Sequence, residues 1–368
     1  MFEIFQGKKA AQYIFFEMLP SFLMGVLVFV SIILMFQVLR LTDFALSHGV
    51  SLTTIGEILS YITISMLPAL LPMALLFSVL LTYGRLSADS EIVAMKASGL
   101  HMATILLPAL ILGLVVSIIS AQTSFQIAPW GNRQFEVLFS KVGSTKAGIS
   151  IKEGTFSEGF FEMVVYANKV NSETGELENV FIYDEAASES AITIIAKKGK
   201  IIPDPENPGH DVLLRLQTGD IHRSGEAHTK IKFDSYDIHL RDPLPDFEKK
   251  KSPQSWTLSE IEERLKDPSL SAKDIIVTQS EFHKRWAISV LCLIFAMLGV
   301  GLGTTTNKRA AKAGGMILSV ILIVTYWILY ISFEGFARSG KLPPAIGIWT
   351  PNILFSLFAL YSLKKNWN

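Results

Sequence analysis

Cysteine is almost absent from the 368-residue chain, and charged residues are scarce for its length. The single cysteine, Cys292, lies in an apolar stretch, which excludes an intramolecular disulfide framework and predicts a small buried side chain. Charged residues make up 18% of the chain, whereas soluble domains have about 25%. Half of the residues are hydrophobic and the formal net charge is zero. This composition excludes a soluble globular protein, a disordered chain and a general nucleic-acid binder.

Motifs for catalysis or nucleotide binding are also missing from the sequence. It contains no H-E-x-x-H and no G-x-S-x-G, and its seven histidines are scattered. The glycine-rich run from Gly299 to Lys308 fails the spacing of a phosphate-binding loop, and close helix packing explains its glycines better. The sequence therefore predicts no catalytic residue, no metal site and no cofactor in this chain. If the protein moves something against a gradient, a partner must supply the energy.

The charged residues are concentrated in the middle of the chain. Residues 129–285 contain 47 of the 66 charged residues, and the flanks 1–128 and 286–368 share the other 19. A helix needs about 20 apolar residues to cross a bilayer. Six stretches in the flanks meet this requirement: 18–39, 58–84, 100–127, 286–307, 313–333 and 342–363. The first is longer than the apolar region of a signal peptide, and no small-residue cleavage site follows it, which favours an uncleaved helix.

Lysines and arginines near the ends of these stretches predict their orientation. With both termini in the cytoplasm, nine basic residues lie on the inner side and five on the outer side, as the positive-inside rule requires. The inner nine are Lys8, Lys9, Arg85, Lys96, Lys308, Arg309, Lys312, Lys364 and Lys365, and the outer five are Arg40, Lys284, Arg285, Arg338 and Lys341. The charge-rich insert is then expected outside the inner face, between the third and fourth spans.

The insert has the pattern of an antiparallel β domain. Short apolar runs lie between turn signals at 161–167, 180–183, 191–196, 212–216 and 231–240, and several of them alternate with period two. This spacing predicts a sandwich or a jellyroll. A proline- and charge-rich linker follows, then a capping box of Thr257 and Glu260 that opens a short helix. A second short helix through 271–279 is expected to lead into the fourth span.

The loop between the second and third spans, Arg85 to Gly99, is a candidate docking element. Leu86, Ile92 and Met95 fit one face of a short helix over about 86–98, and Gly99 suits its end. Such a helix could lie on lipid or dock into another protein. Its acidic residues disfavour an anionic membrane surface. A simple interfacial turn is the plainer alternative.

Two further charged positions lie at the outer ends of spans. Arg40 ends the uncharged run of the first span, where it could snorkel to the interface or bind an anionic headgroup. Glu334 and Arg338 are four residues apart at the end of the fifth span, which favours an ion pair within one helix.

The chain resembles the LptF/LptG permeases of lipopolysaccharide export. The resemblance lies in the run from Gly84 to Gly99, the run from Glu281 to Ser289 with its glycine-rich ending at 298–303, and the segments 340–344 and 349–352. Residues 37–40 and 128–130 are more similar to LptF than to LptG. The family's usual Leu-Gly-Val-Pro-Leu-Gly is Leu-Gly-Val-Gly-Leu-Gly here, a departure that affects helix shape.

This resemblance implies a fold class and a domain organisation. The fold is a polytopic α-helical membrane protein of six transmembrane helices, with a periplasmic antiparallel β-jellyroll domain inserted between helices 3 and 4. Residues 1–134 would hold the first three helices and the cytoplasmic coupling helix, and 135–245 the β domain. Residues 246–280 would form a periplasmic linker with short helices, and 281–368 the last three helices.

The resemblance also implies a function and a set of partners. The chain would be a permease subunit of the ABC transporter that extracts lipopolysaccharide from the outer leaflet of the bacterial inner membrane. It would pair with a sister permease and a dimeric LptB-like ATPase that holds ATP and Mg²⁺, and it would join LptC-like and LptA-like jellyroll bridge proteins. The implied site residues are Glu91, Asp89 and Arg85 for ATPase coupling and Arg40 for the substrate headgroup. The large apolar residues of the insert, among them Phe161, Phe181, Leu214 and Phe233, predict an interior open to acyl chains, although a closed sandwich core would use the same residues.

Two other functions are compatible with the residues alone. One is a membrane enzyme acting on lipid, which would need paired acids or a histidine or metal cluster at the outer interface. The sequence of the short outer loops contains none. The other is a mechanotransmitting or assembly protein that is driven by a partner ATPase and conducts no substrate. Co-purification with an ATPase and a second six-span chain would favour the transporter.

Overall fold

The computed structural model describes residues 2–48, 51–146, 153–160, 163–171, 175–184, 192–203, 211–223, 229–241, 251–304 and 311–366. The chain divides into two compact units. The membrane unit comprises Met1–Val38, Leu59–Arg133 and Ser252–Asn368, and the β unit comprises Leu39–Ile58 and Gln134–Lys251. The chain therefore leaves the membrane unit after Arg133 and returns to it at Ser252.

Helices account for both flanks of the chain. They are α1 Phe2–His48, α2 Leu52–Ala88, α3 Glu91–Ala97, α4 Met102–Gln122, α5 Ala128–Lys146, α6 Leu258–Lys266, α7 Ala272–Gly303, α8 Ala311–Arg338 and α9 Pro344–Asn366, with a π-helical turn, Thr123–Ile127, between α4 and α5. Within the described residues, six segments are long and apolar enough to cross a membrane. They are Gly7–Thr42, Leu52–Ala88, Met102–Phe139, Ala272–Gly303, Gly315–Arg338 and Pro344–Lys365. The six predicted spans are confirmed, and most helices continue past the apolar stretch into polar sequence.

Helix α7 is the central helix of the membrane unit. It packs against α4, α8 and α9. Gly299 and Gly303 lie against Val79 and Tyr83 of α2, and a Cβ at Gly299 would come within 2.7 Å of Val79 Cγ1. Because only glycine permits this approach, the predicted packing role of the glycine-rich run is confirmed. Cys292, on the same helix, is fully buried, as predicted.

Helix α1 contributes only one narrow face to this core. Ile14 and Met18 are completely buried, whereas Leu23 and Leu27 are each 67% exposed. An apolar surface of this kind is suited to lipid or to another membrane helix. Most of α1 is therefore available for contacts outside the chain.

The β unit contains one antiparallel sheet in which every strand pairs with its neighbours in the chain. The strands are β1 Phe156–Phe160, β2 Met163–Asn171, β3 Glu176–Asp184, β4 Ile192–Pro203, β5 Asp211–Arg223 and β6 Thr229–Arg241. The last five contain the apolar runs from which strands were predicted. The described strands form a meander, which confirms the antiparallel β domain between the third and fourth spans.

A line of irregular pairing crosses the sheet from β2 to β6. The regular pairing is interrupted at Asn168, Asn179, Lys197, Thr218 and Asp234. Asn179 and Thr218 have φ values of 51° and 52°, in the left-handed region. The register is the same on both sides of this line, but the alternation of buried and exposed side chains shifts by one residue. Leu177 before Asn179 and Val180 after it are consequently both buried.

The return segment after the β unit follows the prediction closely. Thr257 and Glu260 form a complete capping box, in which Glu260 N–H donates to Thr257 Oγ1 and Thr257 N–H donates to Glu260 Oε2. The second short helix is the first part of α7, which begins at Ala272 and continues as the fourth span.

Candidate functional site

The loop between α2 and α4 contains a short, separate helix. Helix α2 ends at Ala88, and Ser90 has φ 61°, so the chain turns before α3 begins at Glu91. Gly99, with φ 89°, follows α3, and its N–H donates to Lys96 O at 3.0 Å. The predicted stop at Gly99 is confirmed. The helix is shorter than the predicted 86–98, because residues 86–88 still belong to α2.

The apolar side of α3 is docked on the membrane unit itself. Ile92 is 3% exposed and packs in the same buried cluster as Leu86, and Met95 packs against that cluster. The three residues predicted to share a face therefore do meet, although Leu86 comes from α2. Val93 points elsewhere and is 62% exposed. This helix has one side fixed to its own chain and another side open to a partner.

A polar network joins the loop to α1. Arg85 Nη2 lies 2.8 Å from Glu17 Oε1. Tyr13 of α1 interacts electrostatically with both Glu91 and Arg85. Two of the three predicted coupling residues, Glu91 and Arg85, are thus connected through one tyrosine, while Asp89 is exposed in the turn.

Sequence reasoning did not identify Tyr13 and Glu17 as parts of this site. One signal was present: Glu17 directly precedes the first apolar stretch, and Arg85 directly follows the second. Consecutive spans run in opposite directions, so the start of the first and the end of the second, with these two opposite charges, lie on the same side of the membrane. Their pairing could have been inferred from that geometry.

A second polar cluster lies where the chain leaves and re-enters the membrane unit. Arg285 and Glu281 of α7 form a buried ion pair, with Nε and Oε1 3.2 Å apart and side chains only 3% and 5% exposed. Arg285 Nη2 also lies 3.4 Å from Pro253 O and 3.3 Å from Gln254 O. A buried arginine requires such acceptors. The α7 helix is thereby tied to the returning segment.

The departing helix is tied to the same segment. The Asn132 amide of α5 donates to Ser255 Oγ at 2.8 Å and to Ser252 Oγ at 3.2 Å. We call this set, Asn132, Ser252, Ser255, Glu281 and Arg285, the joint. The sequence places Arg285 among the outer basic residues, but in the structure it is paired inside the membrane unit.

The other motifs that carry the family resemblance have packing roles. The Asn352 amide donates to Ala287 O at 2.8 Å, and its Oδ1 accepts from the Tyr326 hydroxyl at 2.8 Å. This side chain therefore connects α9 to α7 and α8. The predicted pair of Glu334 and Arg338 is confirmed, with Arg338 Nη2 2.7 Å from Glu334 Oε1.

Arg40 lies near the end of α1, in the β unit, and its side chain is exposed. The helix does not stop there but continues to His48. An exposed guanidinium two turns before a helix end is sterically able to meet an anionic group. Its predicted role at the substrate headgroup stays a prediction.

The residues predicted to form an acyl-chain path do not all lie on one face of the sheet. Leu214 is fully buried in the apolar cluster, and Phe233 packs against that cluster. Phe181 is on the opposite face, in register with Tyr166 and with Ile195, which is 49% exposed. Phe161 lies outside the described residues. Leu214 and Phe233 therefore meet at the apolar cluster, and Phe233 also lines a cavity of about 630 Å³ together with Phe181.

The fold and these sites define a class of multi-pass membrane protein. In the described part of the chain, six apolar helices include the central α7, an antiparallel β domain separates the third span from the fourth, and a short docked helix joins the second to the third. The family model for the lipopolysaccharide export system permease LptF/LptG matches residues 12–365. The chain therefore belongs to the LptF/LptG family.

Individual relatives agree with this membership. The lipopolysaccharide export system permease protein LptF of Escherichia coli K12 is 21% identical over 354 residues, which cover 95% of this chain and 93% of the relative. LptF of Shigella flexneri gives the same values. An uncharacterized protein of Rickettsia prowazekii is 20% identical over 337 residues, 89% of this chain and 91% of its own length. The chain is accordingly a multi-pass inner-membrane protein of a permease family.

Proposed function

We propose that this chain is an LptF-type permease subunit of an ABC transporter that extracts lipopolysaccharide from the outer leaflet of the inner membrane. It passes the glycolipid to a periplasmic bridge that leads towards the outer membrane. Family membership supports the substrate and the transport role. In this proposal the chain is a transport subunit and performs no hydrolysis of its own.

The docked α3 helix is the observation that carries the proposal. A helix transmits a push only if it is held at defined points. Helix α3 has Ile92 in a buried cluster that also contains Ile14 of α1 and Leu86 of α2, so a force on its exposed side reaches both helices directly. We propose that Glu91, Asp89 and Arg85 face a dimeric LptB-like ATPase, which holds ATP and Mg²⁺.

The substrate has an anionic headgroup and several acyl chains. Exposing those chains to water costs about 0.8 kcal/mol for each CH₂ group, so extraction needs an apolar route and an external energy source. Arg40 is proposed to bind a phosphate, since a guanidinium offers a planar fork of donors. The route through the β unit is proposed to follow the face that carries Leu214 and Phe233.

The proposal places both termini in the cytoplasm and the β unit in the periplasm. A sister permease, LptG-like, would complete the membrane cavity, and LptC-like and LptA-like proteins would continue the β bridge. The exposed surface of α1 supports a membrane partner, because only 6% of the residues in its most apolar stretch are buried within this chain.

Photocrosslinking in ATP-driven proteoliposomes tests the proposal. The vesicles contain this chain, the sister permease, the ATPase and lipopolysaccharide. A photoreactive phenylalanine replaces Phe233 in one preparation and Phe181 in a matched control, because Phe233 packs against the apolar cluster and Phe181 is not part of it. We expect ATP-dependent glycolipid adducts at Phe233 and few at Phe181.

The other outcomes have defined meanings. Adducts at Phe181 alone would move the route to the opposite face of the sheet. ATP hydrolysis without glycolipid adducts at either position or at Arg40 would favour the non-conducting mechanotransmitting protein. A chemically altered lipid product would favour the membrane enzyme.

A further inference from the structure

A groove of about 740 Å³ lies between the first turns of α1 and the start of α4. Ligand-binding clefts commonly have volumes of about 300–1,000 Å³. The polar lining residues are Lys8, Gln12, Ser98, His101 and Thr104, and Phe16, Leu107 and Ile111 are among the apolar ones. All of these residues belong to the membrane unit.

The polar and apolar ends match the two sides of a membrane boundary. The candidate spans of α1 and α4 begin at Gly7 and Met102, next to the polar end. Phe16, Leu107 and Ile111 lie about one to three turns further along these helices, and they are 65%, 48% and 46% exposed. Leu107 and Ile111 belong to the apolar stretch 100–127, so their accessible surface faces hydrocarbon, and Phe16 lies at the membrane boundary, two residues before the apolar stretch 18–39.

Charge at the polar end favours an anionic headgroup. Lys8 is exposed, and the residues that line the groove include no aspartate or glutamate. Gly7 packs against Leu100 and Thr104, so the two helices touch beside Lys8 and the groove opens from that point. An ammonium group at the boundary above an apolar cleft is complementary to a phosphate that carries acyl chains.

We propose that this groove binds one anionic glycerophospholipid of the bilayer, with its phosphate at Lys8 and an acyl chain between Phe16, Leu107 and Ile111. The volume suits one or two chain segments and not the several chains of the exported glycolipid. Ser98 and Gly99 follow α3 directly, so the headgroup contacts the end of the docked helix. This inference does not depend on the proposed export function.

The test uses the full chain, purified with its partner proteins in detergent, and phosphatidylglycerol with a photoreactive group in one acyl chain. We expect labelled peptides that contain Phe16 and Leu107. Leu107→Trp, which fills the apolar part from a half-exposed position, and Lys8→Glu should each reduce labelling about fivefold, corresponding to roughly 1 kcal/mol. Lys364→Glu, a charge reversal at the exposed end of α9, is the matched control and should change nothing.

Competition with unlabelled lipids distinguishes a bilayer phospholipid from lipopolysaccharide as the ligand of the groove. Unlabelled phosphatidylglycerol should displace the probe, and lipopolysaccharide should not. Displacement by lipopolysaccharide alone, or equal labelling of Leu107→Trp, Lys8→Glu and the unmodified chain, would overturn the proposal. So would a photoreactive residue at Leu107 that captures a partner protein and no phospholipid. A normal elution profile of each variant on size-exclusion chromatography establishes that labelling is compared between folded proteins.

Discussion

Glu91 interacts with Tyr13 within the chain and, in our proposal, with an arginine of the ATPase. Glu91→Ala should weaken ATPase binding or reduce the glycolipid exported for each ATP hydrolysed. Removing one partner of a desolvated interfacial pair costs roughly 2–5 kcal/mol, whereas an exposed pair contributes about 0–1 kcal/mol. Glu91→Lys should be worse, because it adds a cation near Arg85 as well. Export assays and binding measurements on proteoliposomes check both variants.

Tyr13→Phe provides the matched control for Glu91. It removes the Tyr13 hydroxyl, and with it the polar interaction with Glu91, without changing any charge. We expect a small loss of stability and near-normal ATPase binding.

An acidic substitution at the ATPase arginine should partly rescue Glu91→Lys. Normal export by Glu91→Lys with an unmodified ATPase would mean that the loop is an ordinary solvated turn.

Arg40 is the second residue whose role depends on a partner molecule. Arg40→Glu should reduce glycolipid crosslinking near α1 about tenfold, equivalent to about 1.4 kcal/mol, with assembly and ATP hydrolysis unchanged. Arg40→Lys keeps the charge but loses the planar fork and should have a smaller effect. Crosslink yield and export are measured together. If Arg40→Glu exports normally, the side chain only snorkels to the interface.

Residue positions were predictable from sequence only where the signal is local. The Thr257 and Glu260 capping box and the Glu334–Arg338 pair were predicted because their partners are three and four residues apart. The contact of Tyr13 with Glu91 joins residues far apart in sequence. The burial of Arg285 was missed because the residue follows a charge-rich segment, although the structure places it inside the membrane unit.

The joint acts at the scale of elements, since it connects α5, α7 and the segment that returns from the β unit. Arg285→Met should destabilise the protein by about 3–5 kcal/mol, because it leaves the Glu281 carboxylate buried without its cation. The double variant Glu281→Gln with Arg285→Met should recover much of this loss. Thermal unfolding in detergent is measured for the unmodified chain, for Arg285→Met, for Glu281→Gln and for the double variant. Simple additivity of the two single losses would show that the pair is not coupled.

Helix α7 offers a second test at this scale. Gly299→Ala places a Cβ 2.7 Å from Val79 Cγ1, so α7 and α2 must separate. Overpacking of this kind costs about 1–3 kcal/mol. Gly335→Ala on α8 is the control, because no atom lies within 4 Å of the position that its Cβ would take. The melting temperature should fall for Gly299→Ala and stay constant or rise slightly for Gly335→Ala; an equal response of both would exclude the packing role.

Elements were predictable where composition defines them. Six apolar stretches predicted six spans, because no soluble helix of that length needs an apolar surface on every side. Short apolar runs between turn signals, several of them with period-two alternation, predicted strands β2 to β6. Strand β1 was not predicted, since Phe156–Phe160 contains only two apolar side chains. The line of interrupted pairing was also missed. It includes Asn179 and Thr218, whose left-handed backbone angles the alternation pattern does not encode.

At the scale of the whole molecule, two exposed lysines allow the proposed membrane orientation to be tested. Lys169 has a 67% exposed side chain in the β unit, and Lys364 is exposed at the end of α9. In intact spheroplasts, a membrane-impermeant maleimide should label Lys169→Cys and should label Lys364→Cys only after permeabilisation. Labelling of Lys364→Cys in intact cells would reverse the proposed topology.

The length of α1 also matters at this scale. A 47-residue helix is about 70 Å long, more than twice the thickness of the hydrocarbon core. One helix therefore contributes its first turns to the coupling network and its last turns, with Arg40, to the β unit. If the helix stays straight, displacement at one end is transmitted to the other.

The burial of Cys292 has a practical consequence for following such displacements. A thiol reacts only as an accessible thiolate, and this side chain has no exposed surface. Cysteines introduced in pairs, one on α7 and one on β5, would therefore carry spin labels without interference from the native residue. Double electron–electron resonance on the otherwise unmodified sequence could then report the distribution of distances between the two units, with and without ATP.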